Sequence, residues 1–154
     1  MEPKKIPTFV DGLDETLGGG LPVGHVILLS GLPGTMKSTL AYAILQNNAE
    51  QRHAKALYVT LEQSRRSLLA QMDAMGFSTQ AVRGDLHLLD VGSIQKEMGK
   101  SATKPWIDFL RRSLSTAKEI DGVDLVVIDS LEALEVIAKP DKLFVIDPAA
   151  RRVR

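Results

Sequence analysis

The sequence predicts an α/β domain with a mostly parallel central sheet and helices on both faces. Three observations carry that expectation. Short apolar runs of strand length recur at His25–Ser30, Ala56–Leu61, Leu86–Val91 and Asp124–Asp129. Segments of helical spacing lie between them, and such alternation builds parallel sheets. The length of 154 residues is about one domain, and a domain of that size buries roughly 70% of its unfolded surface.

The elements follow in order. Residues 7–24 are rich in glycine and turn residues and are expected to form an ordered loop or small hairpin. His25–Ser30 reads as a buried strand, and a Gly/Pro loop, GLPGTMK, follows it. Residues 38–53 contain no Pro or Gly and put Leu40, Ile44 and Leu45 on one face, as a helix does. Ala56–Leu61 is β-branched and aromatic, a second strand. Ser64 is placed to cap a helix whose Leu68, Leu69, Met72 and Met75 share a face, ending at Gly76. Leu86–Val91 is the third strand. Pro105 suits the first turn of a third helix carrying Trp106, Leu110, Leu114 and Ala117. Asp124–Asp129 is the fourth strand.

Composition removes several kinds of chemistry. There are no cysteines, so disulfides, Cys-ligated zinc, iron–sulfur clusters and thiol nucleophiles are excluded. Lys and Arg number 19, and so do Asp and Glu, so neither a basic nucleic-acid arm nor an acidic tail follows. No apolar run approaches the roughly 18 residues of a membrane span. The N-terminal residues lack the apolar core of a signal peptide, and the expected location is cytoplasmic. His25, His53 and His87 lack metal-ligand spacing, and no G-x-S-x-G elbow occurs.

The informative motif is Gly31-Leu32-Pro33-Gly34-Thr35-Met36-Lys37-Ser38-Thr39. A triphosphate needs several inward-pointing backbone N–H groups with a helix N-terminus behind them. Strand, glycine-rich loop, Lys, Ser and helix supply that order, which is a P-loop (Walker A). Lys37 is expected to reach the β- and γ-phosphates, the Ser38 hydroxyl to ligand Mg²⁺, and Thr39 to face the α-phosphate side. The pattern expects glycine where this chain has Met36. A plain strand-to-helix turn is the alternative reading of the loop taken alone.

Two acids end strands. Asp129 follows Leu125-Val126-Val127-Ile128, the position where open α/β sheets bind ligands. There it would hold Mg²⁺ through water and orient Ser38 (Walker B), although many strands end in Asp without such a role. Residue 130 is Ser, so the water-activating Glu that many P-loop ATPases carry right after this Asp is missing. Glu62, after the second strand, occupies the same rim and could polarise water for attack on the γ-phosphate. A helix-start glutamate favourable to the dipole is the other reading.

The runs DGLDETLGGGLPVGHVILLSGLPGTMKSTLAYAIL, LYVTLEQS and DLVVIDSLEAL together resemble KaiC-like ATPases of the RecA/RadA superfamily, over roughly residues 7–138. The resemblance implies a RecA-like P-loop NTPase fold, ATP and Mg²⁺ as ligands, Glu62 as catalytic base and a head-to-tail homo-oligomer. Relatives often carry a second glutamate where this chain has Gln63, and their lead-in loop, here Gly12-Leu13-Asp14, packs near the nucleotide. RecA-like domains continue past the Walker B strand with a helix and a strand that inserts between the Walker A and Walker B strands. Here residues 130–154 follow, with a possible helix at Leu131–Ala138 and a possible strand at Leu143–Ile146. The expectation is therefore one KaiC/RecA-like domain over 1–154 that lacks the C-terminal part of the family's fold. Arg151, Arg152 and Arg154 read as a solvated basic tail. The functional expectation is an ATPase using Lys37, Ser38, Asp129 and Glu62. The alternatives are a weakly active nucleotide-binding regulatory or assembly module and a RadA-like DNA-repair ATPase fragment. Nucleic-acid binding comes from that kinship and not from composition.

Overall fold

The computed structural model describes residues 4–79, 84–93 and 122–133. The elements are β1 (Lys5–Ile6), α1 (Leu13–Thr16), β2 (Leu21–Pro22), α2 (Lys37–Arg52), β3 (Ala56–Thr60), α3 (Arg65–Ala74), β4 (Leu86–Asp90) and β5 (Leu125–Asp129). β4, β3 and β5 form a parallel sheet in that order. β1 and β2 pair antiparallel, the small hairpin expected over the glycine-rich lead-in.

β3 is the central strand and is buried along its whole length. Its continuous ALYVT run fits a strand covered on both faces. In register, Ala56 lies beside Leu86 and Leu125, and Thr60 beside Asp90 and Asp129. All three strands therefore present their C-terminal ends at one rim. One face packs Ala56 and Tyr58 against Ala41, Tyr42 and Leu45 of α2 and Leu68 and Met72 of α3. On the other face, Leu57, Val59 and Leu61 cluster with Val91. Both α2 and α3 thus lie on the same face of the sheet. The third helix, expected to begin at Pro105, falls outside the described residues. So do Leu143–Ile146, the terminal arginines and most of Leu131–Ala138, of which residues 131–133 are helical.

α3 starts as its sequence predicts. The Ser64 hydroxyl accepts from the Ser67 N–H at 3.2 Å, and Gly76 follows the helix with φ +87°. Its buried face is Leu68 and Met72, whereas Met75 is exposed. α2 buries more than one stripe, because the lead-in packs on it as well. Asn48 donates to Pro7 O at 2.8 Å and Asn47 to Phe9 O at 2.9 Å. Asp14 then fixes the lead-in, accepting from Thr8 N (2.7 Å), Thr8 Oγ1 (2.8 Å) and Phe9 N (3.0 Å). Those hydrogen bonds, the Thr8 N–H first, hold the Asp14 carboxyl below its ordinary value. Gly20 is required here: a Cβ would stand 2.2 Å from Ile6 O, which nothing could relieve without moving backbone.

One expected element is absent. Residues 25–30 form no strand, and the run is exposed, Val26 fully and Leu28 by 72%. The physical reason is pairing. Both edges of β3 are taken, and no strand among the described residues pairs with residues 25–30. A strand needs a neighbour for its backbone groups. Without one, the segment before the loop stays in water.

Candidate functional site: a phosphate loop at the rim of the sheet

The glycine-rich loop, residues 31–36, is exposed throughout and leads into the first turn of α2. It is tightly folded. Thr35 Oγ1 donates to Leu32 O at 2.8 Å, and a Cβ on Gly31 would meet that same Oγ1 at 2.8 Å. Lys37 Nζ donates to Gly31 O and Leu32 O, both at 3.0 Å. The amine therefore closes its own loop. Met36 takes a left-handed conformation, φ +63°, at the helix N-cap. Its side chain is about half exposed. The Thr39 hydroxyl points toward thioethers, 3.5 Å from Met75 Sδ and 4.0 Å from Met36 Sδ.

The other site residues meet at the strand ends. Asp129 closes β5, and its main-chain oxygen accepts from Leu61 N at 2.7 Å. Its Oδ2 accepts from the Tyr58 hydroxyl at 2.6 Å. Glu62 is exposed and takes a hydrogen bond from the Ser130 hydroxyl. Ser130 Oγ also accepts from Ala133 N at 3.3 Å, capping the helical residues that follow. Asp90, at the end of β4, accepts from Arg65 N at 2.8 Å and from Ser93 N at 2.8 Å, a helix-positioning role.

Tyr58 and Ser130 are the residues that sequence reasoning missed. The Tyr58 hydroxyl lies far above the ordinary phenol range. Burial is the main cause, followed by the hydrogen bond and charge of Asp129. Ser38 pulls the other way, and the charge of Glu62 adds a last push upward. The hydroxyl's direct partner is Asp129, and Glu62 is joined to the next residue, Ser130. The signal in the sequence was a tyrosine inside a strand buried on both sides, where its O–H must find a partner.

A glycine-rich loop at a helix start, with an Asp and a Glu on the rim of a parallel sheet, is the pattern of the P-loop NTPase fold. The sequence model of the KaiC ATPase family matches residues 6–145, and the chain belongs to that family. The circadian clock oscillator protein KaiC of Thermostichus vulcanus is 29% identical over 147 residues, covering 90% of this chain and 28% of that protein. A UPF0273 protein of Sulfurisphaera tokodaii is 26% identical over 153 residues, covering 99% of this chain and 53% of its own length. The crystal structure of a KaiC-like protein from Pyrococcus horikoshii OT3 superposes with a TM-score of 0.70 at 27% identity. The match covers 86% of this chain and 56% of that one. The chain thus spans about a quarter to a half of the length of these relatives. No helix among the described residues is long and apolar enough to cross a membrane.

Proposed function

We propose that this domain binds MgATP and hydrolyses it. The observation that supports this best is the pair of acids at the C-terminal rim of the sheet, Asp129 held by the Tyr58 hydroxyl and Glu62 joined to Ser130, with the glycine-rich loop leading into α2. The donor set suits Mg²⁺. A hydroxyl and a carboxylate are hard oxygen ligands, and no group of three or more His, Cys, Asp or Glu able to cage a metal occurs among the described residues. Magnesium is commonly held that way, by one or two protein oxygens with nucleotide phosphates and water completing its shell. When bound, it would neutralise charge building on the phosphates.

The chain's own residues would then do the rest. Backbone N–H groups of residues 31–39 and the start of α2 would hold phosphate oxygens. Lys37 would exchange the carbonyls of Gly31 and Leu32 for phosphate oxygens. Asp129 would orient a metal-bound water beside Ser38. Glu62, exposed at the rim, would accept a proton from the attacking water. Homo-oligomeric assembly and the process served belong to the family resemblance and rest on no contact described here.

The test is turnover. Glu62→Gln keeps size and removes the base, so phosphate release should fall by about 10²-fold or more while MgATP binding persists. Phosphate release unchanged by Glu62→Gln would remove Glu62 from the mechanism. Binding without turnover in the unaltered protein would favour the regulatory or assembly module instead.

A further inference from the structure

Tyr58 has no polar neighbour that its packing role requires. Its ring is fully buried in the α2–α3 side of the core, and a phenylalanine would fill the same space. A buried hydroxyl is costly unless it is hydrogen-bonded. The partner here is a carboxylate oxygen at 2.6 Å, a short charge-assisted bond of the strong kind. Tyr58 lies opposite Val127 in register, so Asp129 is its diagonal neighbour on the same sheet face. The ring is held in turn by Tyr42, with centroids 6.0 Å apart, and Tyr42 packs on Phe77 at 5.6 Å. Tyr42 is four residues after Ser38 on α2, one turn along the same helix face. Tyr58 therefore fixes β5's terminal carboxylate relative to the helix that carries Ser38. Asp129 Oδ1 takes no hydrogen bond among the described residues.

We propose that Tyr58 is a positioning residue of the magnesium site: its hydroxyl holds Asp129 Oδ2, which aims Oδ1 at the metal's water beside Ser38. The proposal rests on the reading of Ser38 and Asp129 as the Mg²⁺ residues. It acts through Asp129, so its mark is metal dependence and not loss of nucleotide binding.

The experiment titrates Mg²⁺ into the full chain with a fluorescent, non-hydrolysable ATP analogue, and measures binding of the same analogue in EDTA. In Tyr58→Phe, the Mg²⁺ midpoint should rise on the order of 10-fold, as for loss of an outer-shell partner. Metal-free binding should stay as in the unaltered protein. Tyr42→Phe, a control in the same ring cluster, should move neither. Asp129→Asn should move the midpoint at least as far as Tyr58→Phe. A Tyr58→Phe midpoint that stays put while that of Asp129→Asn moves overturns the proposal. Equal weakening of metal-free and Mg²⁺-dependent binding overturns it as well, since that marks packing alone. A midpoint unmoved in Asp129→Asn overturns the underlying reading, and the Tyr58 role with it.

A second measurement needs no change at Tyr58. The chain has 2 tyrosines, so 3-fluorotyrosine in a Tyr42→Phe background gives a single ¹⁹F resonance, at Tyr58. That resonance should shift when Mg²⁺ joins the nucleotide-saturated protein and should not shift in Asp129→Asn. A resonance indifferent to Mg²⁺ in the Asp129 protein overturns the proposal even if Tyr58→Phe fails to fold.

Discussion

Met36 occupies a left-handed backbone, φ +63°, at the loop position where glycine is the unstrained choice. A side chain in that conformation costs on the order of 1 kcal/mol, and the exposed thioether recovers little of it. Met36→Gly should therefore bind MgATP equally well or more tightly, by up to about fivefold, read by titration calorimetry. Markedly weaker binding by the glycine variant would mean that the Met36 side chain itself contributes to the site. The sequence marked the position as irregular but could not say how. The left-handed backbone at Met36 is what the sequence could not show. Tyr58 illustrates the opposite limit. Strand pattern assigns it to the core, correctly, yet its hydroxyl's partner lies 71 residues away in the chain, and no local spacing encodes that.

The lead-in segment makes the element-scale case. Asp14 ties residues 8 and 9 to α1 by three hydrogen bonds, and Asn47 and Asn48 tie the same segment to α2. Because the folded Asp14 carboxyl lies below its ordinary value of 3.8, the unfolded chain binds more protons in that range. The Asp14 contribution is thus fully present above 3.8 and is lost as pH falls through the lower, folded value. Asp14→Asn should cost about 1 kcal/mol at neutral pH, the low end for a charged acceptor in a solvent-screened position. The gap to the unaltered protein should close as pH drops below 3.8, in paired denaturant melts. Elements with their own local signals were legible: Ser64 capping α3, the buried run of β3, and the apolar approach to Asp129. His25–Ser30 was not, because an apolar run shows that a segment can be a strand and not that a neighbour exists to pair it. That information sits in the topology, where no strand among the described residues pairs with residues 25–30.

At the scale of the whole molecule, the packed core and the glycine-rich loop are unequally secured. β3, α2 and α3 share a buried core, while residues 25–36 lie in water. A ligand seated on that loop binds the folded chain and not the unfolded one. At 100 times its dissociation constant, MgATP should add about 2.7 kcal/mol to stability, visible as a rise in melting temperature by calorimetry. No rise at saturating MgATP would show that the loop does not hold the nucleotide in this chain. The family was legible because its motifs are local and ordered along the sequence, and 90% of the chain aligns with a clock protein of the family. That residues 25–30 form no strand was not, since that depends on pairing across the sheet. The exposed run at residues 25–32 has one more consequence, for the life of the protein in a cell. Exposed backbone outside helix and sheet is where proteases enter a folded chain. Cleavage would then begin at that run, without the core having to open.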